Sequence, residues 1–296
     1  MTWIPFALAL PIFAAAIPLI NEHFKVNPIH LVIFYRIMAI FLFLPILFIF
    51  PLPEDPYFYL FVFIAGLIGM YFDTMYFSSA ATAGAGVTAR VLPFVVLIGF
   101  VLWLCVDPEM IQTYIQQPIK GAGIICSFAM ATYFALRLKS CPLSLRTIKL
   151  LLPAILLGSI TIVLGKLAMD HSPQASGPYF YVLIQSIFVV PPYIVAINIK
   201  FFRRHLPMTA AGPIFTKQIC IAGLSVGLAW SLLMVFKYTA FSRAENPAYV
   251  SLFELLSPLL ISIFYMIRKQ KKTTDVIAGF GIIASVALLI ISTQIL

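Results

Sequence analysis

The chain has 296 residues, of which 62% are hydrophobic and only 10% charged, and its mean hydropathy is +1.05. Soluble domains carry about 25% charged residues, so this composition excludes a soluble globular domain and reads as an all-α, polytopic membrane protein. The formal net charge of +9 does not point to nucleic acid, because Lys and Arg fall mostly in short clusters at the ends of apolar runs, where membrane orientation accounts for them.

Runs of about 20 apolar residues, the length that crosses a bilayer as a helix, are read at 3–20, 29–50, 57–79, 82–104, 118–136, 147–168, 179–199, 214–240, 248–267 and 274–293. The first carries Ala14-Ala15-Ala16 and has the look of a cleavable signal, but it lacks a basic leader and has a counterpart later in the chain, so it is kept as a helix. Polar or Pro-rich breaks separate most of the ten spans. The hairpins near Ala81 and near 243–247 are the least polar. Cys105, Cys126, Cys141 and Cys220 show neither a CxxC pair nor ligand spacing with His, and read as small packing residues. No metal, cofactor or nucleotide-binding motif is found.

The chain repeats itself. Pro5 and His23 recur as Pro153 and His171 at an offset of 148, and Pro28 recurs as Pro178 at 150. Ile64-Ala65-Gly66-Leu67 recurs as Ile221-Ala222-Gly223-Leu224 at 157, and Gly121-Ala122-Gly123-Ile124-Ile125 as Gly279-Phe280-Gly281-Ile282-Ile283 at 158. Matches in one order with slowly growing offsets divide the chain into five-span halves, 1–139 and 140–296. An odd number of crossings places the second half upside down relative to the first, the inverted repeat of many secondary transporters. The odd-numbered loops hold most of the basic residues (Arg137, Lys139, Arg203, Arg204, Lys271 and Lys272 among them), which places them in the cytoplasm and both termini outside.

Residues 66–93 carry an unusual polar inventory for two membrane helices, including Asp73, Thr74, Thr88 and Arg90. A charge at membrane depth costs several kcal/mol unless it faces a partner, a cavity or water. With a turn near Ala81, Asp73 and Arg90 sit roughly 12–14 Å below one face, and Arg36 about 12 Å below the same face, at about 1.5 Å of rise per residue. Either an arginine pairs with Asp73 and locks adjacent helices, or these groups bind the carboxylate and ammonium of a zwitterionic solute. Glu254 lies roughly 10 Å below the opposite face. It reads as a site-lining proton carrier, with a salt bridge to Lys166 or Lys237 as the structural alternative. Tyr71, Tyr76 and Trp230 are the candidate cavity aromatics, while Trp103 and Tyr179 sit where interfacial belts are expected. Pro93 and Pro258 interrupt helices and are candidate bending points.

Taken together, the five-plus-five plan, Arg36 in the second helix, the small-residue run before Pro93, Phe253-Glu254 ahead of Pro258 and the Gly-x-Gly-Ile-Ile helices closing each half resemble the drug/metabolite transporter superfamily, in its ten-helix form of two EamA-like repeats. The resemblance covers nearly the whole chain. It implies transport of small organic metabolites, often amino acids, through a central cavity lined by helices from both halves. The expected setting is the cytoplasmic membrane, as a monomer or homodimer among membrane lipids, with protons as the coupling ion through Glu254. Two features depart from it. The Gly-Glu found in many relatives at the ends of the fourth and ninth helices is replaced by Cys105-Val106-Asp107 and Met266-Ile267-Arg268, and the family implies cytoplasmic termini. A broad drug or cation exporter would favour an acidic, aromatic pocket with few fixed cations. An integral-membrane enzyme acting on lipids would gather His and acidic residues at an interface, whereas His23, His30, His171 and His205 are scattered. No catalytic residue is expected.

Overall fold

Short caps followed by proline set where the helices begin. Asn27 Oδ1 accepts from the amides of Ile29 (3.0 Å) and His30 (3.4 Å) ahead of Pro28, and Asn246 Oδ1 accepts from Ala248 N at 2.9 Å around Pro247. A first-turn amide has no intrahelical partner, so a cap satisfies it and proline loses nothing by lacking one. A computed structural model describes residues 3–89, 92–138, 145–198, 216–269 and 275–294, and every regular element among them is helical.

The first half contains α1 (Ile4–Phe24), α2 (Pro28–Phe43, continued by a 3-10 segment Leu44–Phe48), α3 (Pro56–Ala83), α4 (Ala85–Ala89), α5 (Leu92–Val106), α6 (Glu109–Gln116) and α7 (Pro118–Arg137). The second contains α8 (Leu145–Asp170), α9 (Gly177–Asn198), α10 (Lys217–Phe241), α11 (Pro247–Phe253), a 3-10 turn Glu254–Leu256, α12 (Ser257–Ile267) and α13 (Val276–Gln294). Among the described residues nine segments are long and apolar enough to cross a membrane. A tenth is counted if α5 and α6, which together are long and apolar enough and meet at a bend of 101°, form one broken span. The protein is a multi-pass, all-helical membrane protein, and large apolar side chains cover its outside, as at Phe48 (88% exposed) and Ile267 (75%).

The turn expected near Ala81 stands three residues later, at Gly84, whose φ of +94° and ψ of 158° suit glycine alone. The polar residues before it do not end the helix, because Thr74 returns its hydroxyl to Met70 O at 2.8 Å and stays within the ladder.

The packing pattern survives exchange of the two halves. α1 lies along α10 as α8 lies along α3; α2 meets α10 as α9 meets α3; α5 meets α8 as α12 meets α1. The pairs α2–α9, α5–α11 and α7–α13 map onto themselves. We call the side where α1 ends, with α7, α9 and α12, the basic face, and the other the starting face. At the starting face His171 Nδ1 lies 2.7 Å from Oδ2 of Asp55, whose Oδ1 caps α3 through Tyr57 N at 2.9 Å. The hydrogen bond to His171, and after it the one from Tyr57, hold the Asp55 carboxyl below the usual carboxylate range.

Candidate functional site: a central cavity between two ion pairs

α2 carries Arg36 into the interior, where it is 2% exposed. Nη2 lies 2.7 Å from Asp73 Oδ2 on α3, and Nη1 donates to Gln185 Oε1 on α9 at 2.7 Å. The Tyr35 hydroxyl donates to the same Asp73 oxygen at 2.5 Å, and the guanidinium stands 4.1 Å from the centroid of the Trp230 ring on α10. Gln185 in turn donates to the Tyr181 hydroxyl at 3.2 Å. Charge, hydrogen bonds and ring face therefore all fix this arginine, as a buried charge requires. Of its nitrogens, only Nε has no acceptor among the described residues.

The second pair belongs wholly to the second half. Lys237 Nζ on α10 lies 2.7 Å from Oε1 of Glu254, at the residue where α11 gives way to the 3-10 turn. Side-chain exposures are 14% and 9%, so both groups are nearly buried. The 2.7 Å separation is that of a close ion pair, and Lys237 Nζ also stands 5.6 Å from the centroid of the Phe241 ring.

Both pairs line one internal cavity of about 120 Å³. Counting rise from the helix ends, Arg36 and Asp73 lie about 12–16 Å from the basic face, and Lys237 and Glu254 about 6–10 Å from the starting face, so the cavity has one ion pair toward each side. Phe72, Tyr76, Phe77, Trp230 and Tyr238 supply an aromatic wall, and Gly158 of α8 lines the cavity beside Phe72. A Cβ at Gly158 would stand 2.8 Å from the Phe72 ring, so the glycine is what admits that ring. Toward the basic face Glu22 Oε2 accepts from Ala85 N at 2.9 Å and from the Tyr265 hydroxyl, joining α1, α4 and α12. Toward the starting face the hydroxyls of Tyr114 and Tyr249 bond to each other under Trp3.

Of the residues singled out from the sequence, Arg36, Asp73, Tyr76, Trp230 and Glu254 meet at this cavity. Tyr71 does not; it is 43% exposed on the outer surface. Arg90 lies outside the described residues, and Arg36 is the arginine that pairs with Asp73. Of the two lysines considered for Glu254, Lys237 is the partner, and Lys166 pairs with Asp170 at 2.6 Å. Pro258 stands in the first turn of α12 and so marks the start of a segment within a crossing; Pro93 lies within α5, just after residues 90 and 91, which are outside the described residues. Gln185 was not singled out. It stands 149 positions after Arg36, within the offsets of the repeat, and that is the signal that could have found it. Compared with known proteins, the chain matches no family model and no curated sequence.

Proposed function

We propose that the protein is a secondary transporter that moves a small zwitterionic metabolite, such as an amino acid or derivative, by alternating access, with Glu254 as the proton-coupling group. The observation that carries this reading is the placement of two ion pairs of opposite build on the wall of one aromatic-lined cavity. At about 15 Å³ per water in this measure of volume, the space accommodates on the order of eight non-hydrogen atoms, the size of a small amino acid. A solute carboxylate engages Lys237 as the solute ammonium engages Glu254, replacing an ion pair that has few other neighbours among the described residues. Arg36 and Asp73 stay joined and shape the binding wall. The exchange symmetry of the packing, with the sequence offsets, supports an inverted five-plus-five repeat of the drug/metabolite transporter type. The basic loops favour the cytoplasmic membrane with that face inward.

A second reading, export of organic cations, is favoured by the aromatic wall, since ring faces attract cations once water is excluded. Uptake into proteoliposomes with a panel of amino acids and organic cations, under imposed pH gradients, decides between the readings. Glu254→Gln is expected to abolish gradient-driven accumulation and leave solute exchange measurable. Equal coupling in variant and parent removes the proton role, and failure of every panel member to exchange removes the transporter reading.

A further inference from the structure

Outside the bundle, α1 and α12 leave a groove of about 460 Å³ whose apolar walls include Ile12, Ala16, Ile20, Leu260 and Phe264. At the basic face it runs into a polar pocket of about 230 Å³ lined by Glu22, His23, Tyr265 and Arg268, and the two share Leu19, His23, Phe264 and Arg268. We propose that this composite site holds one phosphate-bearing glycerophospholipid of the leaflet on the basic side, with an acyl chain in the groove and the phosphate at Arg268 and His23.

Length is the first argument. From Ile12 to His23 the groove spans about 16 Å of helix at about 1.5 Å per residue, and half of a hydrocarbon core of about 30 Å is about 15 Å. The trough is one leaflet deep, and its charged end falls where headgroups lie. Charge is the second. Arg268 and His23 are exposed there, and the Arg268 guanidinium is held 4.9 Å from the centroid of the Phe264 ring, where its planar fork is preset for a phosphate. Juxtamembrane basic residues attract anionic headgroups in this position. Placement gives the site its consequence. Tyr265, which lines the headgroup pocket, donates to Glu22, and Glu22 holds Ala85 at the turn between α3 and α4. A seated lipid therefore clamps α1 to α12 beside the contact that joins α1, α4 and α12.

Native mass spectrometry of the detergent-purified protein, supplied with dioleoyl phosphatidylglycerol, tests the site. The parent is expected to retain one lipid at activation energies that strip the others. Arg268→Gln and Ala16→Phe, which remove the phosphate partner and fill the trough, are each expected to reduce that retained fraction at least tenfold, and Arg243→Gln on the starting face is expected to leave it unchanged. Dioleoylglycerol, with the same tails and no phosphate, should be retained at least tenfold less than the phospholipid. Undiminished retention in Arg268→Gln, or equal retention of dioleoylglycerol, overturns the proposal. A two-chain complex that Ala16→Phe dissociates also overturns it and assigns the groove to a second copy of the chain.

Discussion

The two buried ion pairs share a cavity and little else. Arg36–Asp73 joins α2 to α3 and is held by Tyr35, Gln185 and Trp230, so the pair as a whole is tied to four helices. Lys237–Glu254 joins α10 to the start of a 3-10 turn, and beyond each other the pair has, among the described residues, the Phe241 ring beside the lysine. A many-partnered pair resists separation because every neighbour would be left unsatisfied. Fewer neighbours would be left unsatisfied if Lys237 and Glu254 parted. On the proposed transport reading a solute of the same charges takes over that contact while Arg36–Asp73 stays as a pin.

Stability should separate them most. Arg36→Met leaves Asp73, partly buried at the cavity wall, beside a single hydroxyl donor and is expected to cost about 3 kcal/mol, read as a large fall in thermal midpoint or loss of folded protein in detergent. The paired replacement Lys237→Met with Glu254→Gln removes both charges at nearly constant volume. It is expected to unfold within about 1 kcal/mol of the parent while losing accumulation of solute. Equal destabilisation by the two changes would erase the distinction. A smaller effect sharpens it from the cavity side. Gly158→Ala places a methyl where the Phe72 ring now packs and should push the ring inward, raising KM for the larger solutes of a graded series more than for the smaller, at an overpacking cost of about 1–3 kcal/mol.

The smallest effect lies outside the membrane. Asp55 has a lowered pKa in the folded state, so its contribution is present above the unfolded carboxylate value of about 3.9 and is lost as pH falls through the lower folded value. Asp55→Asn keeps a capping side chain and removes the charge. Its thermal midpoint should fall slightly below that of the parent at pH 7 and converge with it below about pH 4, as followed by circular dichroism.

The crossings were legible because lipid demands long apolar runs and caps with proline punctuate them. Arg36, Asp73 and Glu254 were legible because membrane depth makes any charge conspicuous. Partner choice was not. Helix depth put two arginines within reach of Asp73 and two lysines near Glu254, and only the azimuth of each side chain about its helix selects between them. Tyr71 and Tyr76 show the same limit: five residues apart on α3, they differ by more than a turn, and one faces the cavity while the other faces outward. The turn at Gly84 was missed because small residues on both sides of it give hydropathy no edge to detect.

Pairing the described cavity charges with their opposites has an electrical consequence for the proposed transport reading. Moving one elementary charge through 100 mV exchanges about 2.3 kcal/mol with the field. Arg36 with Asp73, and Lys237 with Glu254, present zero net charge, so on that reading an empty carrier would change sides without these pairs sensing voltage, and a proton or an unbalanced cargo would make the cycle electrogenic.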